Sequence, residues 1–194
     1  MRRVAVLFAA TPSVYDALPG LDVYNAARDA RTFPGGMPVV AHPPCAQWGR
    51  LRAFARDDQA ERDLAPWALD QVQRWGGVLE HPFASVLWRH RALPAPGTRD
   101  RFGGFSLPVN QNWFGHRARK PTLLYVVGLE PRALPPFPLS IAEPTATIET
   151  EIRGRPGALP AVSRRERSAT PPQFAEWLVK VARSTRTPEL EAAA

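Results

Sequence analysis

Two side chains capable of covalent and proton chemistry stand at the ends of short apolar runs in this sequence. Cys45, the only cysteine, follows "VVAHPP", and Glu80 closes "GGVLE" just ahead of His81 and Pro82. A cysteine at such a point acts as a nucleophile, as a metal ligand or as a small core residue. The metal reading would draw on His42, Cys45 and His81. A structural zinc site normally pairs its ligands in spacing, and there is no second cysteine, so no metal ligand is assigned. A cysteine hydrolase would have histidines to choose from at 42, 81, 90 and 116, yet no glycine motif for an oxyanion hole lies beside Cys45. The polar, proline-rich flanks of Cys45 favour the nucleophile.

A thiol and a carboxylate so far apart in the chain meet only if the segments carrying them are neighbouring strands. "RRVAVLFA" reads as a first strand, and "LDVYNAARDART" as a short strand or turn leading into a loop. "GGMPVVAH" gives a strand ending at Pro43-Pro44, with the continuous apolar run expected of a strand buried on both faces. Leu64, Trp67, Ala68, Val72 and Trp75 recur at spacings of three and four. They predict an amphipathic helix between Asp57 and Trp75, capped by Asp57 or Asp58 and stopped at Gly76-Gly77. Pro66 inside it predicts a kink or a later start. "GGVLEHP" is the next strand and "ASVLWRH" a short helix. This succession predicts an α/β fold with a mostly parallel sheet, whose functional groups gather beyond the C-terminal strand ends.

Downstream, "FSLPVNQNWFG" and "PTLLYVVG" predict antiparallel strands joined by a basic turn from His116 to Lys120. "SATPPQFAEWLVKVARS" predicts a closing helix, capped by Ser168 or Thr170, with Phe174, Trp177, Leu178 and Val181 on one face. Residues 1–183 are read as a single α/β domain, with a proline-rich loop or arm over 131–163 and a frayed tail over 184–194.

Lys and Arg together number 25 against 18 acidic residues, a net charge of +7. Only Lys120 and Lys180 are lysines, and an arginine bias of this kind also marks a GC-rich genome, so the charge argues only modestly for a polyanionic partner. A single cysteine excludes an internal disulfide and fits a reducing compartment. The N-terminal apolar run, about seven residues, is too short for a membrane span. A cytoplasmic protein with no membrane association is expected.

The order of these motifs resembles the DNA cytosine-5 methyltransferases. "HPPC" after a strand is similar to the family's Pro-Cys motif, and "LEHP" stands where the family has Glu-Asn-Val. "QNWFGHRARKPTLLY" is similar to its Gln-containing motif with two arginines one residue apart. In "SATPPQFAEWL", Ser168, Ala169 and Thr170 stand where its closing helix has Asn-Ala-Val. The likeness is nearest to short methyltransferase-like proteins of phages and prophages and covers about half of the chain. It implies a mostly parallel sheet of reduced Rossmann-like methyltransferase type, with an antiparallel hairpin and a C-terminal helix. It also implies a transferase that modifies cytosine in DNA, with Cys45 as nucleophile and Glu80 holding the cytosine edge. Pro44, Gln47, Trp48, His81, Gln111, Arg117 and Arg119 are the expected substrate-binding residues, the two arginines through phosphate or base-edge contact and His81 as a proton relay. The residue types suit the chemistry: a thiolate adding to C6 makes C5 enamine-like, and a carboxyl group at N3 and the exocyclic amine stabilises the adduct.

The segment after the first strand, "VLFAATPSVYDALPG", carries no Gly-x-Gly, although Asp16 or Asp22 could stand for a ribose-binding acid. The expected donor is therefore S-adenosylmethionine or another one-carbon donor, an aldehyde or a folate, which would give hydroxymethylcytosine. Too few residues separate "RARKPTLLY" from the closing helix for a target-recognition domain, so a cytosine nucleotide stands beside DNA as substrate. The alternative is a non-catalytic DNA- or protein-binding phage counter-defence module on the same reduced fold. Either would work in the host cytoplasm if phage-encoded.

Overall fold

The computed structural model describes residues 1–138, 140, 143–148 and 159–188. In chain order its strands are β1 (Val4–Ala9), β2 (Leu21–Asn25), β3 (Val39–Ala41), β4 (Gly77–Pro82), β5 (Phe105–Asn110), β6 (Ala118–Arg119), β7 (Pro121–Val127) and β8 (Ala146–Thr147). Its helices are α1 (Gln59–Trp75), α2 (Leu87–His90), α3 (Arg164–Ser168) and α4 (Pro172–Ser184). Six strands form one mixed sheet in the order β2-β1-β3-β4-β7-β5. β1 to β4 run parallel, and β7 lies antiparallel between β4 and β5. The protein is thus an α/β fold with a mostly parallel sheet, an antiparallel pair and a C-terminal helix. β6 pairs with β8 in a small separate sheet.

Both faces of the sheet are covered, which is why β3 reads as an unbroken apolar run. Ala5, Leu7, Val39, Ala41 and Leu79 pack under α1 on one face. Val4, Val6, Val40 and Val78 pack under Phe174, Trp177, Leu178 and Val181 of α4 on the other. Burying the Val, Leu and Phe side chains among them contributes about 1.5–3 kcal/mol each. Between α1 and β4 the chain must pass tightly against β3. A Cβ on Gly77 would lie 2.0 Å from the Val39 carbonyl oxygen, and its φ is +126°. Only glycine allows that approach.

Asp58 caps α1 as expected, while the later start at Pro66, the side-chain cap of α4 and the frayed tail from Ser184 are corrected. α1 runs from Gln59 to Trp75 through Pro66, with Asp58 as its N-cap. Pro66 has no N–H for the Arg62 carbonyl one turn earlier, and the Trp48 indole N–H fills the vacancy, donating to Arg62 O at 3.0 Å. α4 has no side-chain cap, because Ser168 ends α3 and Pro171 precedes the first turn. The tail does not fray at once: Thr185 is buried, and Arg186 N–H donates to Gly128 O at 2.7 Å. Residues 189–194, and parts of the proline-rich 131–163 stretch, lie outside the described residues. Among the described residues no helix is long and apolar enough to cross a membrane.

Candidate active site

The order of strands changes direction at β1, with β2 on one side and β3 on the other. In open α/β sheets the crevice beyond the C-terminal ends at such a point is where ligands bind. β3 delivers His42, Pro44 and Cys45 there. β4 is its direct parallel neighbour, with Ala41 opposite Leu79, so the next residues along, His42 and Glu80, come side by side. Alternation along β4 sends Glu80 to the α4 face with Val78.

His42 Nδ1 lies 3.1 Å from Glu80 Oε2, and His42 Nε2 lies 2.7 Å from the Tyr15 hydroxyl. Tyr15 comes from a single turn after β1 and is buried. From the far side, Gln111 Nε2 donates to Glu80 Oε1 at 3.1 Å and to Thr122 Oγ1 at 3.0 Å. Burial raises the Tyr15 phenol further above neutral pH, so it keeps its proton. Facing the ionised Glu80, Nδ1 carries the proton of their hydrogen bond, and the Tyr15 hydroxyl is the partner of Nε2. Burial alone would push the Glu80 carboxyl up. The hydrogen bond and charge of His42, and then the charge of Lys120, overturn this and hold it down, to about 2.

Lys120, just ahead of β7, is the cation of this site. Its Nζ donates to Ala169 O at 3.1 Å, and the charges of Glu80 and Cys45 oppose the downward push of burial on its ammonium. Cys45 is exposed at the first turn of the loop after β3, where its carbonyl accepts from Trp48 N and Gly49 N. Burial of the sulfur's surroundings and the Glu80 charge push the thiol up, against the pull of Lys120. Among the described residues no side chain hydrogen-bonds its Sγ.

The other expected substrate residues divide. Pro44 flanks Cys45, and Gln111 joins Glu80. Gln47 instead is buried and ties the loop, donating to Arg56 O at 2.6 Å. Trp48 is a core residue packed on His90 and sealing α1. His81 leaves β4 on the opposite face from Glu80, edge-on to Trp88 and fully buried. Burial drives its pKa down to about 4, so it is neutral, and it lies against the Pro44 backbone rather than beside the Glu80 carboxylate's partners. Arg117 is spent on a bidentate pair with Glu166, at 2.8 and 3.0 Å, and Arg119 faces Glu143 at 3.8 Å. Both are exposed on the small β6 segment. The expected positive field therefore comes from Lys120 and not from the arginines. Tyr15, His42 as a Glu80 partner, Lys120 and Thr122 were missed as site residues.

The donor set for S-adenosylmethionine does not fit. Asp22 is engaged by Arg28 and by the Tyr24 hydroxyl, Asp16 caps its own turn, and the Tyr15–His42 hydrogen bond spans the crevice between β1 and β3. The segments that follow β3, β4 and β5 expose aromatic and basic side chains. Phe54 is 87% exposed in the loop after Cys45, which carries Arg50, Arg52 and Arg56 and no acid before Asp57. Phe83 and Trp113 flank a shallow cleft of about 250 Å³ with Pro108 and Pro121. No protein-family model, curated protein or solved structure matches the chain.

Proposed function

We propose that this protein activates C5 of a cytosine, in DNA or a nucleotide, by covalent addition of Cys45, on a reduced Rossmann-like methyltransferase architecture. The observation that carries this reading is the delivery of Cys45 and Glu80 by adjacent parallel strands to the C-terminal edge of the sheet, with Lys120 interacting electrostatically with both. In the reaction the Cys45 thiolate forms an S–C6 bond. The C5=C6 pair moves to C4–C5, the C4=N3 pair moves to N3, and N3 takes a proton from solvent. Glu80 receives the N3–H and the exocyclic amine as a two-donor edge. The enamine carbon then attacks the electrophile, and as C4=N3 re-forms N3 gives its proton to the electrophile's oxygen; C5 then loses its proton to water, C5=C6 re-forms, and the thiolate leaves. With the S-adenosylmethionine donor set unsuited, the electrophile in this reading is an aldehyde-level one-carbon unit, giving hydroxymethylcytosine. Without it, C5 takes a proton from water.

A second reading, a nucleic-acid-binding module without catalysis, draws on the exposed Phe54 within its arginine-bearing loop. One experiment separates the two. C5 hydrogen exchange is followed in heavy water with dCMP, dCTP and a cytosine-containing oligonucleotide. Exchange that vanishes in Cys45→Ala supports the enzyme. A folded protein that exchanges none of them, yet binds the oligonucleotide in a manner lost on Phe54→Ala and kept on Cys45→Ala, is the binding module.

A further inference from the structure

The base-activation reading gives Glu80 a substrate edge to hold but leaves unexplained the two residues stacked behind it. A buried tyrosine hydroxyl, an imidazole and a carboxylate in series are not needed merely to fill space. They fix which atoms of Glu80 accept and which donate. We propose that His42, held by Tyr15, is a positioning residue that keeps Glu80 an acceptor on both oxygens and thereby selects cytosine over uracil. The inference rests on the base-activation reading for its ligand.

The argument is one of matching donors and acceptors. Each Glu80 oxygen already receives one N–H, from His42 on Oε2 and from Gln111 on Oε1. The remaining lone pairs can only accept. Cytosine offers its exocyclic amine, and its N3 completes the pair by taking a proton, which makes two donors against two acceptors. Uracil offers N3–H but sets its O4 against a carboxylate oxygen, two acceptors face to face. Rejection by an unpaired buried polar group is far stronger than rejection by size.

His42 holds this state through the proton on Nδ1. Without the Tyr15 hydroxyl the ring is free to carry its proton on Nε2 instead. Its bare Nδ1 would then no longer donate to Oε2, and the carboxyl would lose the hydrogen bond that keeps it ionised. A Glu80 that takes its proton on the lone pair facing the base donates to uracil O4 as readily as to cytosine N3, and the discrimination is gone. The charged and titratable groups around the chain are Tyr15 beyond β1, Glu80 on β4, Lys120 ahead of β7 and Cys45 in the loop after β3. His81, on the other face of β4, is neutral.

The test is calorimetric binding of dCMP and dUMP to Cys45→Ala protein, with proton uptake read from buffers of different ionisation heat. The reference protein is expected to prefer dCMP by about a hundredfold and to take up about one proton with it, none with dUMP. Tyr15→Phe and His42→Ala are expected to reduce the preference to about fivefold or less by tightening dUMP, with the proton uptake lost. His42→Asn, whose amide also donates to Glu80, retains most of it, which a packing defect would not. Equal binding of the two nucleotides by the reference protein, binding of neither, or an unchanged preference in folded Tyr15→Phe and His42→Ala overturns the inference. C5 exchange by the Cys45-containing protein is scored separately. Its absence beside an intact preference counts against the role of Cys45 alone. Its presence beside an unmoved preference counts against His42 alone.

Discussion

Glu80→Gln is the most informative single change, because it keeps the shape of the side chain and removes only its capacity to accept on both ends. In the native protein Oε2 takes the His42 N–H and Oε1 takes the Gln111 N–H. A glutamine must turn its NH2 toward one of them, donor against donor. The magnitude follows from the carboxyl, which is held from an ordinary 4.5 down to about 2. At 1.36 kcal/mol per pH unit this favours the ionised form in the folded state by about 3 kcal/mol. Because the folded value is the lower one, that stability is fully present above about pH 4.5 and is lost as pH falls toward about 2. Urea unfolding of the native and Glu80→Gln proteins at pH 7, 5, 4 and 3 reads it directly. The native protein should be the more stable at pH 7, and the gap should close on acidification. A gap that stays constant with pH would refute the electrostatic account of this site.

Three further outcomes follow from the same geometry. Lys120→Met removes the cation that opposes the upward push on the Cys45 thiol. The C5-exchange rate, rising roughly tenfold per pH unit below the thiol's pKa, should keep that slope but shift to higher pH; an unmoved profile would remove Lys120 from the site. Arg117→Ala breaks an exposed pair with Glu166, so the urea midpoint should barely change and exchange should stay within about twofold. A larger loss of exchange would return Arg117 to the substrate. Trp48→Phe leaves the Arg62 carbonyl opposite Pro66 without its donor and should cost about 1–3 kcal/mol in urea unfolding, with C5 exchange by the folded protein retained.

What the sequence by itself determined was local. Periods of two and three to four, with glycine and proline punctuation, marked the strands, α1, α4 and the β3-α1-β4 unit. That unit was enough to bring Cys45 and Glu80 to one end of the sheet. The same period of two already implied that His81 faces away from Glu80, a signal present in "LEHP" and outweighed by the chemistry of histidine. Only the tertiary structure decided the rest, because a side chain's role depends on partners distant in the chain. Tyr15 meets His42 across 27 positions and His42 meets Glu80 across 38. Arg117 is neutralised by Glu166 from 49 positions away, which leaves Lys120, half-buried and interacting electrostatically with Glu80, to supply the field. Trp48 became core for an equally nonlocal reason: a proline on another element left a carbonyl that needed a donor. Apolar periodicity is written in neighbouring residues, but hydrogen bonds and charges are settled by whichever groups the packed layers bring together.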